Sequence, residues 1–231
     1  MVSITCDLHV HTKASADGHC PIEDVLRQAE KAGLDAVAIT DHDSVESAKK
    51  ALTLKSSVLV IPGIEVSTKQ GHVLLLGTTE EFPKGEDALE TIRKGRDAGC
   101  LVIIAHPYHH FRHAVGLHSK QALIEADALE GYNSRYYTKG SNKKAVRTAK
   151  RLKKPVTAGS DAHECRFVGY GINVVEARER SVAAILDAIR AGSIESRCIK
   201  TPARTYTYQS YKNVVRKVKK VLRPKRARGM R

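Results

Sequence analysis

Asp7-Leu8-His9-Val10-His11 places two imidazoles two residues apart. Side chains at that spacing on a strand share a face, so His9 and His11 can address one ion while Leu8 and Val10 pack behind them. An HxH pair alone is a weak signal, since ordinary surface and core pairs share it. The same residue types recur, however, just after other apolar runs. Thr40-Asp41-His42-Asp43 follows AVAI, Glu65 stands in Gly63-Ile64-Glu65-Val66, His106-Pro107 follows LVII and Ala105, and Gly159-Ser160-Asp161-Ala162-His163 follows PVTA. Imidazole and carboxylate are the expected ligands of borderline divalent metals. Packing alone does not explain five such strand ends, because buried charge needs an ion or a partner. Asp17, six residues after His11, either folds back as a ligand or closes an Asx turn with Gly18.

Cations and further donors stand near these strand ends. The stretch His106-Pro107-Tyr108-His109-His110-Phe111-Arg112-His113 reads as a lid after a strand, with Arg112 the first candidate for an anion clamp. Arg135, Lys139 and Arg166 are further candidates, against the plain alternative of solvated surface cations. His72 either faces the site from a hairpin or packs within its strand. His109, His110 and His113 are auxiliary ligands or solvent-facing loop residues, and His19 and His118 carry no evident role. Tyr132, Tyr136 and Tyr137 either stack on a base or pack at a rim.

These residues need strands and helices to position them. Strands are expected at Ser3–Leu8, Ala36–Thr40, Val58–Val66, His72–Leu76, Leu101–Ala105, Ala128–Glu130, Pro155–Ala158 and Gly171–Val175. Val58–Val66 and His72–Leu76 pair as a hairpin around Lys69–Gly71. Helices are expected at Ile22–Lys31, Val45–Leu54, Glu86–Ala98, Ser119–Ala126, Ser141–Leu152 and Arg180–Ala191. Six or seven βα units fit a barrel or an open parallel sheet, and no GxGxxG or P-loop is present. Polar residues just after the strands match the active end of a barrel.

The composition bounds the rest. With 231 residues, 42% hydrophobic and 28% charged, the chain can bury one sizeable core. No apolar run reaches the roughly 20 residues needed to span a bilayer, and the N-terminal MVSITCDLHVH lacks a signal-peptide stretch. The expectation is a cytoplasmic protein with no integral membrane association. Five dispersed cysteines without a CxxC pair argue against a disulfide scaffold or a cysteine-rich zinc module. The formal charge of +14 sits at one end: residues 196–231 hold 13 of the 39 Lys and Arg and none of the 25 acids.

The ordered motifs DLHVHT, ADG, TDHD, GIEVS, AHP and GSDAH resemble the PHP (polymerase and histidinol phosphatase) superfamily, over about Ile4–Ala191. The chain is most similar to its stand-alone members, which include nucleotide phosphatases and 5′-to-3′ oligonucleotide exonucleases. The resemblance implies a distorted (β/α)7 TIM-like barrel of the PHP type, binding two or three divalent metal ions (Mn, Zn or Fe) at its mouth, with no organic cofactor. By the same resemblance, His9, His11 and Asp161 hold a first metal, which Glu65 bridges to a second. His106 holds the second, with Glu130 or Asn133 at the place where some members carry histidine. Asp17, His42 and His163 hold a third. His72 matches a histidine of that subgroup and is expected to meet substrate, with Arg112, Arg135 and Arg166. The catalytic set is expected to be His9, His11, Glu65, Asp161 and His163.

The expected organisation is a barrel over 1–199, a linker or β-like strip over 200–210, a basic amphipathic helix over 211–223 and a disordered basic tail over 224–231. Tyr211, Val214, Val215, Val218, Val221 and Leu222 form the apolar stripe of that helix, which docks on the barrel or leaves a basic face for nonspecific nucleic-acid contact. The expected activity is hydrolysis of a phosphomonoester or 5′-terminal phosphodiester of a nucleotide or short oligonucleotide. The alternatives are a histidinol-phosphate or other small-metabolite phosphatase, a catalytically silent nucleic-acid-binding module, and, ranked last, amide hydrolysis.

Overall fold

The chain alternates apolar β-branched runs with amphipathic helices, and the computed structural model, which describes residues 1–109, 114–136 and 139–202, turns that alternation into a nearly closed barrel. The strands are β1 (Val2–Val10), β2 (Ala36–Ile39), β3 (Leu59–Ser67), β4 (His72–Leu76), β5 (Leu101–Ile104), β6 (Ala128–Asn133), β7 (Val156–Gly159), β8 (Gly171–Ala177) and β9 (Ile194–Cys198). They form one sheet in the order β7-β6-β5-β4-β3-β2-β1-β8-β9. The seam between β1 and β7 is laced by Asp161 N–H donating to His9 O at 2.8 Å and His11 N–H donating to Ala162 O at 2.9 Å. The architecture is the expected mixed α/β barrel of the PHP type.

The helices are α1 (Ile22–Lys31), α2 (Glu46–Ala51), α3 (Ala88–Asp97), α4 (Val115–His118), α5 (Lys120–Glu125), α6 (Lys139–Leu152) and α7 (Val182–Arg190). Asp87, Ser119 and Ser181 cap α3, α5 and α7 by accepting from backbone N–H groups of the first turn. The expected hairpin is present, with β3 and β4 antiparallel and Ser67 opposite His72. β5, β6 and β7 then resume the parallel direction. Strand β9 and helix α4 were not anticipated. β9 reads Ile-Glu-Ser-Arg-Cys, with too few apolar residues to signal a strand, and exists because it pairs antiparallel with β8.

Buried aliphatics fill the barrel and both flanks, including Ile4, Leu8, Ile61, Leu74, Leu76, Leu101 and Ile103 inside. A second cluster under α3, α5 and α6 gathers Ile64, Val73, Ile92, Val102 and Leu129. The cysteine expectation needs correction. Cys20 and Cys165 form a disulfide across 145 residues, a pairing no sequence spacing could reveal. No described helix is long and apolar enough to cross a membrane. The expected basic helix over 211–223 and the tail over 224–231 lie outside the described residues, as do Arg112, His110, His113 and Tyr137.

Candidate metal centre

Strand β1 ends with His9 and His11 on one face, both fully buried. Their Nε2 atoms lie 3.0 Å apart. The tautomers follow from what holds the opposite nitrogens. His9 Nδ1 faces Glu130 Oε1 at 2.9 Å, and a carboxylate accepts, so Nδ1 carries a proton. Ser15 Oγ donates its one proton to Asp41 Oδ1 at 2.6 Å, so it accepts from His11 Nδ1 at 3.0 Å. When the rings are neutral, both therefore turn an Nε2 lone pair toward the same small volume, an arrangement that suits a cation between them.

Glu65 on β3 is the hub of that volume. Its Oε2 lies 2.9 Å from His42 Nδ1, 3.2 Å from His11 Nε2 and 3.4 Å from His9 Nε2. Its Oε1 lies 3.1 Å from His106 Nε2 and 3.2 Å from His72 Nδ1. Five imidazoles thus surround one fully buried carboxylate. Among the described residues, Glu65 Oε2, His42 Nδ1 and His72 Nδ1 nonetheless have no hydrogen bond of acceptable geometry. They approach one another as ligand atoms around a shared centre do. Burial alone would raise the Glu65 pKa, but His42, His9, His72 and the His106 hydrogen bond hold it well below the usual carboxylate value.

Asp161 closes the first group, 3.4 Å from His11 Nε2 and 4.0 Å from His9 Nε2. Ligand atoms of His9, His11 and Asp161 fall within 4.8 Å of one another, as do those of His11, His42 and His163, and those of His42, Glu65 and His72. Asp17 does fold back: its Oδ2 lies 3.2 Å from His163 Nε2 and its Oδ1 3.9 Å from His42 Nε2. His163 is held neutral, its pKa pushed down to about 3 by burial and then by Arg135 and His11. Burial would also lower His9, but Glu65, Glu130 and Asp161 hold it well above the ordinary imidazole value. His11 is raised in the same way, against burial, by Asp161 and Glu65.

The residues present therefore fit divalent cations. The donors are the right types, they converge from six strand ends and loops, and several buried ligand atoms otherwise lack partners. Backbone strain marks the same places. His106 and Asp161 adopt left-handed φ values of 28° and 50°. Such conformations cost about 1–3 kcal/mol each in non-glycine residues and persist where surrounding structure enforces them.

Other expected site residues take different positions. Glu130 stands behind His9 rather than among the converging ligand atoms, and its Oε2 accepts from the His106 backbone N–H at 2.7 Å. Asn133 donates from Nδ2 to Glu130 Oε2 at 3.0 Å and to Asp161 Oδ2 at 3.3 Å. His72, expected to meet substrate, lies beside His106 with ring centroids 5.2 Å apart and its Nδ1 3.2 Å from Glu65 Oε1. Arg135 reaches in, its Nη1 donating to Asp161 Oδ1 at 3.0 Å and lying 2.7 Å from His163 Nδ1. Arg166 is largely exposed and pairs with Glu164 at 2.8 Å, away from the cluster.

Three supporting residues escaped the sequence reading. Asp41 accepts from Thr12 N–H at 2.6 Å and Oγ1 at 2.7 Å, as well as from Ser15, and so ties the first loop under the cluster. Asp7 accepts from Ser160 N–H at 3.0 Å and Gly169 N–H at 2.9 Å, anchoring the loop after β7; burial pushes its pKa up to about 6. Gly159 makes room, since a Cβ there would lie 2.1 Å from Glu130 Oε1 and 2.5 Å from His9 Cβ.

Known proteins share the fold that carries these residues. The family model described as PHP-associated matches residues 139–194. An uncharacterized protein of Methanocaldococcus jannaschii is 34% identical over 140 residues, 55% of this chain and 81% of that protein. A two-domain protein of Bacteroides vulgatus, described as containing a predicted PHP-like metal-dependent phosphoesterase, superposes with a TM-score of 0.72 at 20% identity, covering 85% of this chain and 65% of that one. The lesion-specific endonuclease EndoQ of Pyrococcus furiosus superposes with a TM-score of 0.65 at 19% identity, covering 84% of this chain and 58% of that one. The chain thus spans less than two thirds of these two solved proteins, and at such identities the likeness is one of fold. Barrel topology and these matches together show a PHP-type fold, with residues 139–194 matching the PHP-associated family model.

Proposed function

We propose that this chain is a metal-dependent phosphoesterase that hydrolyses a phosphomonoester, or the 5′-terminal phosphodiester, of a nucleotide or short oligonucleotide. The observation that carries this reading is Glu65, a buried carboxylate met by five imidazoles. A carboxylate with two oxygens so surrounded suits a bridge between adjacent cations. His9, His11 and Asp161 would hold one, His72 and His106 a second, and Asp17, His42 and His163 a third. Adjacent divalent cations supply Lewis acidity toward water and toward phosphoryl oxygens.

The remaining work falls to the chain. Glu130 and Ser15 orient His9 and His11 so that only Nε2 faces inward. Arg135 stands at the edge of Asp161 and His163, where its guanidinium can hold a non-bridging phosphate oxygen as charge develops. His42 and His72 are each one-fifth exposed and border the opening, a position from which an imidazole N–H can donate to a leaving oxygen. The endonuclease EndoQ, which shares the fold, lends support to a nucleic-acid substrate.

The test is hydrolysis by the chain reconstituted with Mn, Zn or Fe, offered 5′-phosphorylated short DNA and RNA, nucleotides and histidinol phosphate. Release from nucleotides or oligonucleotides, lost in His9→Ala and Asp161→Ala with the fold retained by circular dichroism, is the expected result. Turnover of histidinol phosphate alone would replace the substrate. Tight oligonucleotide binding with no turnover would make the chain a silent binding module.

A further inference from the structure

From Gly131 to Ser160 the chain carries nine Lys and Arg and no acid. The excess is concentrated on α6, where Lys143, Arg147 and Lys150 recur at i, i+4 and i+7 on one exposed face, with Arg151 beside them. These positions form a strip about 10 Å long at 1.5 Å per residue. Lys143, Arg147, Lys150 and Arg151 make no hydrogen bond or ion pair with any described residue, whereas Lys144 lies over the Tyr108 ring at 4.2 Å. Between this strip and the end of β6 lies a groove of about 460 Å³, lined by Tyr132, Asn142, Lys143, Val146 and Arg147. It is connected to the metal centre. Asn142 Oδ1 accepts from Asn133 N–H at 3.1 Å, its Nδ2 donates to Asn133 O at 3.2 Å, and Asn133 Nδ2 donates to Asp161 Oδ2 at 3.3 Å.

We propose that this groove binds a single-stranded nucleic-acid chain, with a base against Tyr132 and successive phosphates along Lys143, Arg147 and Lys150, and delivers its end to the metal centre. The delivery clause rests on the phosphoesterase reading; the binding clause does not. An aromatic ring beside a row of unpaired cations is how sequence-tolerant single-strand sites are built. Phosphate contacts here would fix the register of the strand without reading its bases.

Fluorescence anisotropy on the full chain tests the site, using a ten-nucleotide 5′-phosphorylated DNA and its RNA counterpart, with EDTA present so that the metal centre takes no part. Lys143→Glu/Arg147→Glu is expected to weaken binding at least about tenfold at low salt. It should also flatten the dependence of log K on log salt by about 1.4, because each of the two removed cations neutralises one phosphate at roughly 0.7 of slope. Tyr132→Ala is expected to weaken binding about tenfold with the salt slope kept. Lys31→Glu/Lys55→Glu, the same charge change near the opposite ends of the strands, is expected to bind like wild type. Equal affinity and slope in the groove and control variants would overturn the proposal, as would displacement by poly-glutamate as effective as by oligonucleotide. A metal-loaded chain that fails to hydrolyse bis(p-nitrophenyl) phosphate would count against the phosphoesterase reading alone, since the groove variants are read without metal.

Discussion

Glu130 accepts a hydrogen bond from Nδ1 of His9 at 2.9 Å, and that contact decides which ring nitrogen faces the metal centre. The same carboxylate accepts from the His106 backbone N–H at 2.7 Å, so it ties two cation-facing segments together from behind. Partners of this kind typically matter 10–100-fold for metal affinity. Glu130→Ala should therefore weaken Zn or Mn binding by about that factor, measured by competition with a chromophoric chelator. Wild-type affinity in the variant would remove Glu130 from the account.

His9 and His11 lie above the ordinary imidazole value when no cation is bound, because Glu65 and Asp161 outweigh burial. A cation needs their lone pairs, so binding must expel protons. Calorimetry in buffers of different ionisation enthalpy should show proton release on metal uptake at pH 7, with affinity falling as pH is lowered. Heats independent of the buffer would contradict this.

His163 shifts the other way, to about 3. Between pH 3 and 6.5 the unfolded chain binds a proton there that the folded chain does not. Its contribution to stability is therefore complete above about pH 6.5 and is lost as pH falls toward 3. In metal-free protein, urea titrations from pH 6.5 to 4.5 should show wild type losing more stability than His163→Gln. Parallel losses would mean that His163 titrates normally.

The Cys20–Cys165 disulfide joins the loop that carries Asp17 to the segment that follows His163. Removing a native disulfide typically costs about 2–5 kcal/mol. Cys20→Ser/Cys165→Ser should lower the melting temperature and weaken the Asp17–His163 cation position more than the His9–Asp161 one. Manganese EPR on native and substituted protein would show this as loss of one class of bound ion. An unchanged melting temperature and spectrum would show that the loops hold without the bridge.

Much of the centre was legible because strand periodicity is local. His9 and His11 share a face by spacing alone, and the apolar runs AVAI, LVII and PVTA pointed to the strands that His42, His106 and Asp161 follow by two or three residues. The position of His72 required the β3–β4 register, which the hairpin pattern suggested without resolving the direction of its ring. The contact of Glu130 with the back of the His9 ring is not legible in sequence, because a buried carboxylate near metal ligands looks the same whether it faces an ion or an imidazole Nδ1. The disulfide depends on a tertiary contact between residues 145 apart. The acid-free stretch through α6 stood in plain sight, but residues 1–195 taken together balance 26 Lys and Arg against 25 acids, and that balance concealed it.

Glu65 is placed to join neighbouring cations. Metal analysis of the reconstituted chain by inductively coupled plasma spectrometry, beside Glu65→Ala with its fold verified, tests it most directly. At least two divalent cations per wild-type chain, and loss of more than one of them in the variant, are the expected result. A wild-type chain that takes up none, or a variant that keeps the full number, would contradict it.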